Sequence, residues 1–174
     1  FVRHYEPLWE TAAEKGWSHP EYLARLCEYE VADRYQRRTQ KWTREARLPI
    51  GKTFICLELD RFSKPNQGKV IKLQQDIGCS HSADNVLLMG PSGTGKTHIA
   101  AALGHALIER GVRCRLFTGV ALVQLLQQAK RDLELMKIMT QLDKYQVIII
   151  DDIGYVRKTD AETQVLFEFI AHRY

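Results

Sequence analysis

Residues Gly90-Pro91-Ser92-Gly93-Thr94-Gly95-Lys96-Thr97 match the pattern G-x-x-x-x-G-K-[ST] in full, and no other feature limits so tightly what this chain can fold into. The pattern does its work only between a strand and a helix. Val86-Leu87-Leu88-Met89 just before it reads as a short apolar strand, and Lys96 to Arg110 just after it as an Ala-rich helix closed by Gly111. Glycines let the backbone wrap until successive N–H groups face an anion, and the helix N-terminus adds a favourable field. Gly90, Pro91, Ser92, Gly93, Thr94, Gly95, Lys96, Thr97 and the following His98 are therefore the candidate phosphate-binding residues. Lys96 is placed to reach the β- and γ-phosphates, and Thr97 to ligate Mg²⁺ through its hydroxyl. The glycine order G-x-x-G-x-G differs from the dinucleotide fingerprint G-x-G-x-x-G.

About fifty residues on, Val147-Ile148-Ile149-Ile150 reads as a second apolar strand and ends in Asp151-Asp152. In a parallel sheet its C-terminal end faces the same crevice as the loop, which puts Asp151 at the Mg²⁺ and makes Asp152 the candidate for polarising an attacking water. Lys96, Asp151 and Asp152 are the candidate catalytic residues. No N-K-x-D guanine-reading tetrad is present, which favours ATP over GTP. Arg113 to Thr118 reads as a further strand, residues 119 to 143 as helical, and Thr159-Asp160-Ala161-Glu162 as a capping box opening a last helix. Apolar strands alternating with helices predict an α/β fold, a parallel sheet covered on both faces, with a small helical domain before it.

That domain rests on residues 18 to 47. Ser18-His19-Pro20-Glu21 is a capping box, and Leu23, Cys27, Val31 and Tyr35 follow at i+4 spacing as the expected apolar stripe. Six cations, Arg34, Arg37, Arg38, Lys41, Arg44 and Arg47, face one acid, Glu45, between positions 34 and 47. Arg34, Arg37, Lys41 and Arg44 share one face; with Arg38 they are the candidate DNA contacts, a stripe able to track a phosphate backbone. The competing reading pairs these arginines with Glu28, Glu30 and Asp33 on a solvated face. Tyr35 and Trp42 read as packing anchors. The expected division is 1–50 helical and basic, 51–84 a connector, and 85–174 the nucleotide-binding core; Phe62 and Ile71 in the connector are candidates to hold the base.

Composition narrows the class further. With 45% hydrophobic and 26% charged residues and a net charge of +4, the chain is neither disordered nor a disulfide scaffold. Cys27, Cys56, Cys79 and Cys114 form no C-x-x-C pair, the pattern of a reducing compartment, and no run approaches the roughly 18 to 20 apolar residues of a membrane helix. The start, Phe1-Val2-Arg3-His4-Tyr5, is not a signal peptide. A cytoplasmic chain without membrane contact is the expectation. Beginning without Met and stopping in a helical pattern, it reads as part of a longer frame.

These residues together resemble the AAA+ ATPases, and within them the IstB-type ATP-binding proteins of insertion sequences, relatives of the DnaC helicase loaders. The resemblance covers nearly the whole chain. It is carried by Gly90 to Ala101, by Asp151-Asp152-Ile153-Gly154-Tyr155, by Thr159 to Phe169, and by the upstream Glu30 to Gly51 with its R-L-P-I-G-K-T ending. It implies an ATP-binding regulator that self-assembles on double-stranded DNA and assists a transposase. Alternatives left open are a DnaC-like helicase loader and an inactive truncated remnant. Two departures qualify the resemblance. AAA+ enzymes commonly end the second motif in Asp-Glu, where Asp152 is one methylene shorter. Family members also continue through a strand carrying a polar sensor residue and then an arginine finger. In the usual order that strand lies between the first and third, so an incomplete sheet, poor stability and slow hydrolysis are expected of residues 1–174 alone.

Overall fold

The computed structural model describes residues 4–75, 85–154 and 159–173. Ile77, Cys79 and Tyr155, and the end of the connector, lie outside the described residues. The chain divides into two compact units, one ending at Lys41 and one beginning at Trp42.

The first unit holds α1 (Tyr5–Lys15) and most of α2 (His19–Ala46). Gly16 ends α1 at φ 65°, where a Cβ would be strained, and Trp17 N–H closes the turn on Ala12 O at 2.9 Å. The capping box forms as its residues require: Ser18 donates both its N–H and its hydroxyl to the Glu21 carboxylate at 2.8 Å. Those two bonds, the backbone one first, hold the Glu21 carboxyl below its ordinary pKa.

The expected stripe Leu23, Cys27, Val31, Tyr35 is exposed, and the residues that meet α1 are different ones. Tyr22 donates to Tyr5 O at 2.9 Å and meets the Trp9 ring edge-on, Leu26 is buried, Tyr29 stacks on His4, and Asp33 accepts from His4 at 2.8 Å. The reason is geometric. A strict i+4 series drifts around a helix of 3.6 residues per turn, whereas 22, 26, 29 and 33 alternate steps of four and three and stay on one side.

In the second unit Arg47, at φ 55°, terminates α2. The connector then runs along α4 (Lys96–Glu109), held by His98 Nε2 on Thr53 O at 3.0 Å and His105 Nε2 on Pro49 O at 3.2 Å. Its helix α3 (Lys64–Gln75) is closed by the Arg110 guanidinium, which donates to the carbonyls of Gln74 and Gln75. Strand β1 (Cys114–Thr118) pairs in parallel with β2 (Val147–Asp151), Cys114 opposite Val147 and Thr118 opposite Asp151.

Alternation then sorts the strand side chains. Cys114, Leu116, Val147 and Ile149 pack with Ala46, Leu48 and Ile108 on one face. Phe117, Ile148 and Ile150 face α5 (Gly119–Arg131), α6 (Leu135–Leu142) and α7 (Asp160–Arg173), whose Leu122, Leu126, Met139, Val165 and Phe169 form the largest core cluster. The sheet is parallel and covered on both faces, as the sequence predicts for an incomplete nucleotide-binding α/β domain.

One expectation is refined and one corrected. The helical run 119–143 is two helices, broken where Leu133 enters the left-handed region at φ 57° and Glu134 N–H reaches back to Ala129 O. Residues 86–89 lead into the loop but form no strand, with Leu87 72% and Met89 82% exposed. A strand exists by pairing, and here a slot of about 720 Å³ lies between this segment and the edge of β2 that pairs with no other described strand. Leu88 and Met89 line one side, Ile148 and Ile150 the other, with Ala100 and Leu103 of α4 and Phe169 and Ile170 of α7 also facing in.

Candidate functional site

The loop between residue 90 and α4 turns on three glycines with left-handed φ, Gly90 at 152°, Gly93 at 78° and Gly95 at 87°, values that a side chain would strain. Thr94 Oγ1 and Lys96 Nζ both donate to Pro91 O, at 2.8 and 2.7 Å. The ammonium is thus held against the loop's own backbone. Helix α4 begins at Lys96, with Ile99 N–H bonded to Gly95 O at 2.9 Å, so the free N–H groups of its first turn open into the loop.

At the mouth, the Thr97 hydroxyl donates to Asp151 Oδ1 at 3.1 Å, joining positions 54 residues apart. The same carboxylate oxygen accepts from Asp152 N–H at 3.1 Å. An alcohol and a carboxylate side by side are hard oxygen donors suited to Mg²⁺, which keeps most of its water and takes remaining ligands from phosphate. Among the described residues no cluster of three or more His, Cys, Asp or Glu side chains could hold a metal without such help. Asp152 is exposed and has φ 56°, so its carboxylate stands on a left-handed turn just past β2.

His98 sits in the first turn of α4 with its ring nitrogen engaged with Thr53 O at 3.0 Å. Of the two base candidates, Phe62 lies on the loop, its ring edge 3.1 Å from where a Cβ on Gly95 would stand, while Ile71 is exposed on α3. The signal missed in the sequence is Gly119. It directly follows β1, and its Cα faces the backbone of Asp152 and Ile153.

Arg34, Arg37, Arg38, Lys41 and Arg44 are all exposed on α2. Arg34 Nε bonds Glu30 at 2.7 Å, Arg37 lies 3.7 Å from the same carboxylate, and the Arg38 guanidinium sits over Tyr35 at 5.6 Å. The stripe is therefore partly engaged along its own helix. Glu28 pairs with Arg25 instead, and Tyr35 is exposed, whereas Trp42 packs against the Ala46–Leu48 cluster. Among the described residues no helix is long and apolar enough to cross a membrane.

Comparison with known proteins agrees with this geometry. The profile of the IstB-like ATP binding protein family matches residues 1–174. The chain is similar to an insertion sequence ATP-binding protein of Sinorhizobium fredii, 41% identical over 165 residues, covering 95% of this chain and 55% of that protein. It is 32% identical to the insertion sequence IS21 ATP-binding protein of Pseudomonas aeruginosa, over 98% of this chain and 64% of that one. It is 30% identical to the IS5376 counterpart of Geobacillus stearothermophilus, over 99% and 68%. The chain thus spans between about half and two thirds of the length of these relatives. A loop built for phosphate, a parallel sheet that joins it to an acidic strand end, and a family profile that matches residues 1–174 lead to one assignment: the chain belongs to the IstB-like ATP binding protein family.

Proposed function

We propose that this chain forms the nucleotide-binding part of an ATPase that assembles on double-stranded DNA and supports a transposase, in the cytoplasm. The observation that carries the ATP reading is the 3.1 Å contact of Thr97 with Asp151, since it unites the two sequence motifs at one mouth. In this reading loop N–H groups and Lys96 hold the phosphates, and Thr97 and Asp151 would hold Mg²⁺, which would supply neutralisation of phosphate charge. Asp152 orients water in line with the γ-phosphorus. The water oxygen bonds to phosphorus as the bond to the β–γ bridging oxygen breaks, giving ADP and inorganic phosphate, with the water proton released through the carboxylate to solvent.

Equilibrium binding of Mg-ATP to the full-length protein tests it. Saturable binding is expected, with Lys96→Ala lowering affinity by at least about tenfold, the scale of a lost charge-assisted contact of more than about 1.4 kcal/mol. Equal binding by both proteins overturns the assignment.

The DNA reading rests on residues 1–50 and on the exposed cations of α2. Neutralising Arg37, Arg38 or Lys41 singly is expected to weaken duplex binding uniformly across sequences. Each removed phosphate contact lowers the slope of log K against log salt by about one. An unchanged slope in all three variants removes the stripe from the DNA interface. Self-assembly and transposase contact follow the family resemblance, and co-sedimentation of the full-length protein with duplex and transposase, with and without ATP, tests them.

A further inference from the structure

We infer that Gly119 is a positioning residue for the Asp152 carboxylate; this rests on the hydrolytic reading above. Gly119 is the first residue of α5, directly after the N-cap Thr118, whose hydroxyl accepts from Ala121 N–H at 3.2 Å. Thr118 pairs with Asp151 across the sheet, so the start of α5 and the turn after β2 leave the sheet side by side. A Cβ on Gly119 would stand 3.0 Å from Ile153 Cα, 3.3 Å from Asp152 O and 3.5 Å from Ile153 N. All three neighbours are backbone atoms, which cannot swing aside as a side-chain tip does. Gly119 has an ordinary φ, so it is close approach, and not conformational freedom, that uses the glycine.

The turn against which it packs is itself constrained. Asp152 is one of three described non-glycine residues at positive φ, and its N–H is tied to Asp151 Oδ1. The left-handed region is tolerated best, after glycine, by Asp and Asn, whose short polar side chains bond locally. A left-handed backbone at this position suits the shorter acid better than Glu. A small cleft of about 50 Å³ flanks the contact, lined by Val120, Val123 and Gln124 of α5 together with Asp152, Ile153 and Glu162. A turn pushed off Gly119 moves the carboxylate while Thr97, Lys96 and the loop, held by α4, stay where they are.

The test is steady-state hydrolysis and Mg-ATP binding by the full-length protein and its Gly119→Ala and Val120→Ala variants. Val120 is the next residue on the same helix and is partly exposed. Displacement of a reacting group by about 1 Å can cost about a hundredfold, so a shift of a few tenths of an ångström is expected to lower kcat about three- to tenfold in Gly119→Ala. KM and the Mg-ATP dissociation constant should stay within twofold, and Val120→Ala should match the unsubstituted protein. The split matters because a merely structural role would weaken nucleotide binding along with rate. Unchanged kcat in Gly119→Ala overturns the inference. So does loss of Mg-ATP binding in that variant, or equal slowing by Val120→Ala, since either makes the effect one of folding. If the unsubstituted full-length protein binds Mg-ATP and hydrolyses none, the hydrolytic reading falls and takes the inference with it. That outcome is separable from the others because it appears before any substitution is made.

Discussion

Cys114 is fully buried, with its thiol donating to Gly104 O at 3.4 Å. Burial pushes its pKa up to about 12. An acid whose folded pKa is raised leaves stability untouched below its unfolded pKa of about 8.5 and withdraws it above, because the unfolded chain then ionises and the folded one does not. The second unit is therefore expected to lose stability as pH rises from about 8.5 towards 12, and a Cys114→Ala variant to lose less. Urea melts at pH 8 and pH 10 measure both. Cys27 and Cys56 are exposed, so alkylation at neutral pH should modify them at once and reach Cys114 only through opening of the fold. At this scale Lys96, Thr97 and Asp151 were legible in the sequence because their pattern is set by the ligand's shape. Gly119 was not, since a glycine that serves close approach looks like any glycine at a strand-to-helix junction.

Among elements, those announced by local chemistry formed where the sequence put them. The Thr159 box closes with Thr159 N–H on Glu162 Oε2 at 2.7 Å and Glu162 N–H on Thr159 Oγ1 at 3.3 Å, at the head of α7. Thr159→Ala should cost about 1 kcal/mol of unit stability, read as a shift in the urea midpoint at constant slope. Helix α1 gave no comparable signal: Pro7 sits in its first turn and only Leu8 and Ala12 are buried, too few to mark a face. The break between α5 and α6 was equally silent. A leucine takes the left-handed position there that a glycine would have advertised.

At the scale of the whole molecule the decisive feature is the slot beside β2. The segment 86–89 has the composition of a buried strand and lacks one, because composition expresses what a residue prefers and pairing depends on a neighbour. Residue preference alone does not reveal that, although the resemblance to the AAA+ ATPases leads to the expectation of an incomplete sheet. An unpaired edge flanked by exposed Leu87 and Met89 is a template for association, so residues 1–174 alone are expected to scatter light on concentration and to bind a hydrophobic dye. Leu87→Lys should reduce the scattering without lowering the melting temperature; scattering unchanged by it would place the sticky surface elsewhere.

The same segment is also the tether of Gly90. A strand docking into the slot would draw taut the backbone that leads into the phosphate loop, and a nucleotide filling the loop would in turn hold that backbone ready for the strand. Whatever coupling free energy the two events share acts equally in both directions. If they are coupled, Mg-ATP should bind residues 1–174 more weakly than the full-length protein, and the ratio of the two dissociation constants measures the coupling.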